Sequence, residues 1–186
     1  MFMKVFDNKM NLKLMLMFIP VAYFSFFFHE FGHWIVGEIL GNDMGLRLNG
    51  SSPINGQYLE NTQLYIICGG VAFTLLLTII SWFIIEKYKV IYVYPVVFFN
   101  VFMRIFPQII KFDFQDEAKI SALAGIGKYT IAIIVIFLLL FIVWRTSRVL
   151  KLNYKDNILC FIASIICTFL VVITDYLLFY NFYHQP

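Results

Sequence analysis

Apolar residues gather in five long runs along the chain. The first begins near Leu14, carries no charge up to Phe28 and continues to about Leu40. The second runs from Leu64 to Ile85, and the third from Val90 to about Ile110, with Asn100, Arg104 and Pro107 inside it. The fourth extends from Ile120 to Trp144, interrupted by Lys128, and the fifth from Ile158 to about Tyr183, interrupted by Asp175. Each is close to the roughly 20 residues that a helix needs to cross a bilayer core. In lipid, only helices and closed barrels satisfy every backbone N–H and C=O, and these runs lack the alternation of barrel strands. The pattern predicts an all-α membrane protein with five transmembrane helices near residues 14–40, 64–85, 90–110, 120–144 and 158–183, in a single domain over 1–186.

The only sizeable loop, Gly41 to Gln63, follows the first helix. It has Gly and Asn at turn positions and the alternation Leu46-Arg47-Leu48, which predicts a short hairpin or strand at the membrane surface. Loop charges set an orientation. Lys4, Lys9 and Lys13 precede the first helix, Lys87 and Lys89 follow the second, and Arg145, Arg148, Lys151 and Lys155 follow the fourth. These regions share one side of a five-helix chain. On the other side Arg47, Lys111 and Lys119 are diluted by Asp43, Glu60, Asp113, Asp116 and Glu117. The positive-inside rule then puts the amino terminus in the cytoplasm and the carboxy terminus outside. No A-x-A-like site follows the first run, so no cleavable signal peptide is expected.

Composition agrees with lipid as the solvent. Of 186 residues, 61% are hydrophobic and 13% charged, against about 45–50% and about 25% in soluble domains. The net charge of +3 is scattered rather than gathered in a patch, so nucleic acid is not an expected partner. Cys68, Cys160 and Cys167 all lie in apolar runs without a C-x-x-C pair and read as small buried hydrophobes.

The chemistry is concentrated in His29-Glu30-Phe31-Gly32-His33. Positions i and i+4 share a helix face, so both imidazoles can reach one metal ion. Zinc suits imidazole ligands and lowers the pKa of a bound water toward neutrality. Glu30, beside that face, can take the water's proton and pass it to a leaving amine. Two histidines and a glutamate inside an apolar helix are costly to insert and mark a functional site by default; the blander reading is an interfacial polar cluster.

A third protein ligand is required. The soluble metzincin pattern fails, because Val36 and Ile39 stand where it needs Gly and His. Candidate carboxylates are Glu38, Glu60, Asp113, Asp116, Glu117 and Asp175. If successive helices alternate in direction, Gly69-Gly70, Asn100/Arg104/Pro107, Asp116/Glu117 and Asp175 all fall at the depth of the histidines. Gly69-Gly70 permits close backbone approach, whether for a substrate or for helix packing. Asn100 can donate to a substrate carbonyl or oxyanion, or bond across helices. Arg104 pairs with Asp116 or Glu117 or snorkels to the interface, and snorkelling is the favoured expectation.

The early H-E-F-G-H helix in so apolar a chain resembles the site-2 protease family of intramembrane zinc metalloproteases (peptidase family M50). In that family a later N-P-x-P…L-D-G stretch supplies an aspartate as third ligand. Its counterpart here is Asn100, Arg104 and Pro107 followed by Gln115-Asp116-Glu117, with Glu117 where the family has Gly. The resemblance covers roughly Phe24 to Lys119 and implies Asp116 as third ligand beside His29 and His33, with Zn2+ as cofactor. Several members place zinc near the cytoplasmic side, whereas the loop charges here put it near the outer side.

The expected function is that of a zinc metalloendopeptidase in a cell membrane, multi-pass and bacterial. It would hydrolyse a membrane-associated peptide or single-span protein, with Glu30 and Asn100 as catalytic residues. The alternative is a non-catalytic membrane metal-binding protein with an immunity, transport-accessory or zinc-sensing role.

Overall fold

The computed structural model describes residues 10–183, so Lys4 and Lys9 of the charge argument lie outside the described residues. The chain opens with α1 (Leu12–Leu16) and α2 (Phe18–Ile39), broken at Met17. Pro20 explains the break, since it has no N–H to give to the Leu16 carbonyl and its ring crowds that oxygen. A hairpin follows, with β1 (Met44–Arg47) antiparallel to β2 (Gly50–Pro53), pairing Met44 with Pro53 and Arg47 with Gly50. Then come α3 (Gln63–Tyr88), α4 (Tyr94–Ile110), α5 (Asp116–Leu123), α6 (Thr130–Val149) and α7 (Tyr154–Tyr183).

Among the described residues, five helical segments are long and apolar enough to cross a membrane: Leu12–Ile39, Gln63–Tyr88, Ile91–Ile110, Thr130–Val149 and Tyr154–Phe179. Outward positions on α6 and α7, such as Phe137, Phe141, Phe169 and Ile173, are exposed apolar side chains, as a lipid solvent requires. This makes the chain a multi-pass membrane protein in character.

The fourth run departs from the expectation of one helix over 120–144. It breaks after Leu123 and restarts at Thr130. Gly125 (φ 67°) and Gly127 (φ 93°) adopt left-handed backbone that a side chain would strain, which ends α5 in a tight turn. The break lifts Lys128 out of the span and pairs it with Asp113 at 2.5 Å. It also lets α6 run on to Val149, well past Trp144. The short α5 is thereby free to lie against α3 and α6 with its acidic first turn aimed inward.

Two apolar cores hold the bundle. One joins α2, α4, α6 and α7 through Phe18, Ala22, Val97, Phe99, Ile142 and Val171. The other joins α3, α4, α5 and α6 through Ile67, Val71, Val101, Ile120 and Leu139. The closest helix crossing is α2 on α3, where a Cβ built on Gly32 would stand 2.7 Å from the Gly69 carbonyl oxygen. Glycine at the crossing lets the two backbones touch. Buried hydroxyls on α3 turn back on their own helix, Thr74 to the Gly70 carbonyl (3.1 Å) and Thr78 to the Thr74 carbonyl (2.8 Å).

Candidate metal centre

His29 and His33 lie one turn apart on α2, both buried against α3. The Gly70 backbone of α3 makes room for them, because a Cβ there would strike both imidazole rings. Each ring is oriented by its Nδ1. His33 Nδ1 lies 2.8 Å from the Ile66 carbonyl, which can only accept, so it carries the proton. His29 Nδ1 lies 3.0 Å from Thr74 Oγ1. That hydroxyl gives its own hydrogen to the Gly70 carbonyl, so it accepts from His29. With both rings neutral, Nε2 is the unprotonated nitrogen and has the lone pair that metal ligation requires.

The two Nε2 atoms are 3.1 Å apart. Asp116, at the first position of α5, brings Oδ2 to 3.1 Å from His29 Nε2 and 3.5 Å from His33 Nε2. All three ligand atoms fall within 4.8 Å of one another, a group that could hold a metal ion. Tetrahedral zinc, with bonds near 2.0–2.1 Å, separates its ligand atoms by roughly 3.3 Å, so the observed spacing suits such an ion. Burial alone would raise the Asp116 carboxyl; the imidazoles of His29 and His33 and the charge of Arg104 outweigh it and hold the carboxyl well below the usual carboxylate range.

The charge count also suits a divalent cation. Glu30, Asp116 and Glu117 face a single guanidinium, Arg104, in the same interior. Carboxylates thus outnumber the buried guanidinium, a surplus of acceptors that a cation would satisfy. Glu30 is buried and lines the same cavity as the three ligands, with no hydrogen bond to another described side chain.

Arg104 does not snorkel. It is 5% exposed, and its Nε and Nη2 form a fork on Glu117 at 2.8 and 2.7 Å. Nη2 also reaches Asp116 Oδ2 at 3.2 Å, and Nη1 lies 3.2 Å from His29 Nε2. Glu117 is fully buried and spent on this pair, away from the histidines.

The other candidate carboxylates have different tasks. Glu38 Oε1 accepts the Met44 amide at 2.9 Å and pins the start of the hairpin to α2. Trp34 assists by donating to the Met44 carbonyl at 3.1 Å. Asp175 on α7 holds the hairpin tip through Arg47 Nη2 (2.9 Å) and the Asn49 amide (3.3 Å). Asp113 pairs with Lys128, and Glu60 is exposed in the loop before α3.

A cavity of about 570 Å³ opens onto the site. Its floor carries His29, Glu30, His33, Arg104 and Asp116, its roof is the hairpin at Asn49–Ser51, and its side wall is Phe106, Thr168 and Val172. A second groove of about 310 Å³, lined with Phe169 and Ile165, shares Phe106, Pro107, Thr168 and Val172 with it. Tyr58, which the sequence did not single out, also lines the cavity. Burial raises its phenol above the usual value, and the negative charges of Asp116 and Glu30 add to the rise. Asn100 is fully buried one turn before Arg104, both amide atoms lack a partner, and it is not among the residues that line the cavity.

No family model, curated protein or solved structure matches the chain. The class the fold and site define is a multi-pass helical protein with a His-His-Asp group, its imidazoles buried and its carboxylate partly so.

Proposed function

We propose that the protein is a membrane-embedded zinc metalloprotease, of the site-2 protease kind, that hydrolyses an amide bond in a membrane-associated peptide or single-span protein. One observation carries the reading: two imidazoles of fixed tautomer and one carboxylate bring their ligand atoms together, beside a buried glutamate, on the floor of a cavity.

Zinc, when bound, supplies a Lewis acid and makes water acidic enough to react near neutral pH. His29, His33 and Asp116 would hold it, and the Nδ1 bonds to Thr74 and Ile66 keep both rings aimed. Glu30 takes the proton of the attacking water and returns it to the leaving amine. The apolar side wall, continuous with the groove beside α7, accepts an extended apolar segment. A helical substrate must first unwind, because its amides are engaged in their own hydrogen bonds. The cell membrane of a bacterium, with the amino terminus cytoplasmic, is the proposed location.

The test is Glu30→Gln. The chain would be co-expressed with single-span membrane proteins encoded beside its gene, and metal content measured on the purified protein. Wild type should yield a truncated product and the variant none, with equal zinc in both. Full cleavage by the variant refutes the role of Glu30. Absence of zinc from wild type, with no cleavage, refutes the protease reading.

A further inference from the structure

We propose that Arg104 is a catalytic residue, donating from Nη1 to the substrate's carbonyl oxygen and to the oxyanion formed there, with Glu117 as its positioning residue. This rests on the reading above. A guanidinium inside a membrane helix lowers its energy by snorkelling to water, yet this one is 5% exposed at the cavity floor. Glu117 explains how it is held. The carboxylate grips Nε and Nη2 from behind at 2.8 and 2.7 Å, and such a fork fixes the plane of the group. Nη2 is further engaged by Asp116 at 3.2 Å.

Nη1 is the remaining nitrogen. It sits 3.2 Å from His29 Nε2, at the edge of the ligand set. A ring nitrogen that ligates a metal has no lone pair left to accept a hydrogen bond, and a guanidinium has no acceptor of its own. The two N–H groups of Nη1 are then left for an oxygen entering the cavity. Asn100, the sequence's candidate for this role, lies one turn below without lining the cavity. Gln108, one turn above, is buried too and likewise not in the lining.

In the step itself, the oxygen of water bonds to the carbonyl carbon. The π pair moves onto the carbonyl oxygen, where Nη1–H holds the new charge, and the water proton goes to Glu30. On collapse that pair re-forms C=O, the C–N bond breaks, and the amine leaves with the proton from Glu30. A preorganised donor at such an oxyanion is worth about 10²–10³-fold in rate.

The experiment compares wild type and Arg104→Lys, purified in detergent and loaded with zinc. It measures zinc content, thermal stability, and affinity for two probes of one tripeptide sequence, a phosphinate bearing the oxyanion and the plain amide. Arg104→Lys should bind the phosphinate about 100-fold more weakly, with amide binding and zinc content near wild type. Phosphinate affinity unchanged per loaded site overturns the proposal, and does so while leaving the protease reading intact. Failure of wild type to hold zinc overturns both. Should Arg104→Lys not fold, Glu117→Gln carries the same readout: it keeps the guanidinium but breaks the fork. Its phosphinate affinity should fall about tenfold, and no change there overturns the proposal equally.

Discussion

Gly70→Ala adds one methyl group in the place where the two imidazoles lie. The new Cβ would stand 2.7 Å from His29 Cε1 and nearer still to the His33 ring. Ordinary contact begins near 3.4 Å, so the His29 ring must retreat by about 0.7 Å, or α3 must move away. The second route gives up the close packing one residue earlier, where Gly69 lies against the Gly32 backbone. Metal sites tolerate displacements of about 0.2 Å. At least one imidazole should therefore leave the ligand set. Structural zinc is worth about 10–16 kcal/mol over roughly four ligands, or about 3 kcal/mol each, which is about 100-fold in affinity. Overpacking should add about 1–3 kcal/mol of destabilisation. Zinc affinity can be read by competition with a chromophoric chelator in detergent, alongside a melting curve. Gly50→Ala is the control, since a Cβ there meets nothing within 4 Å. Wild-type zinc affinity in Gly70→Ala would refute the steric argument.

The hairpin and the loop beside it offer two further tests. Asp175→Ala removes the acceptor for Arg47 and for the Asn49 amide. Because Arg47 is partly exposed, the loss of stability should be only about 1 kcal/mol, but limited proteolysis should cut faster near the hairpin tip while zinc content holds; unchanged protection there refutes the latch. Tyr58 has a folded pKa raised by burial and by Asp116 and Glu30. Its contribution to stability is therefore fully present below about pH 10, the unfolded value, and is lost as pH rises through the higher folded value. Absorbance titration should show a late-ionising tyrosine component that Tyr58→Phe diminishes, and an unaltered curve refutes that assignment.

Much of this molecule was legible along the chain. Run length and the absence of alternation determined five apolar helices, because a lipid solvent leaves the backbone few choices. The spacing of His29 and His33 determined a shared face, and the alternation of helix direction brought Gly70, Arg104 and Asp116 to one depth. Tertiary structure decided which carboxylate does what. Asp116 and Glu117 are neighbours in sequence, but successive residues on a helix point about 100° apart, so one reaches the histidines and the other Arg104. No spacing rule tells which of the two faces α2. Asp175, equally deep and equally acidic, turned to the hairpin because Arg47 stood opposite it. The turn at Gly125–Gly127 was equally hidden, since hydropathy averages over a window and a backbone reversal needs only a few residues. Hydropathy and periodicity are properties of one segment against its solvent, whereas a partner for a buried charge is chosen by what the other helices bring to the same point.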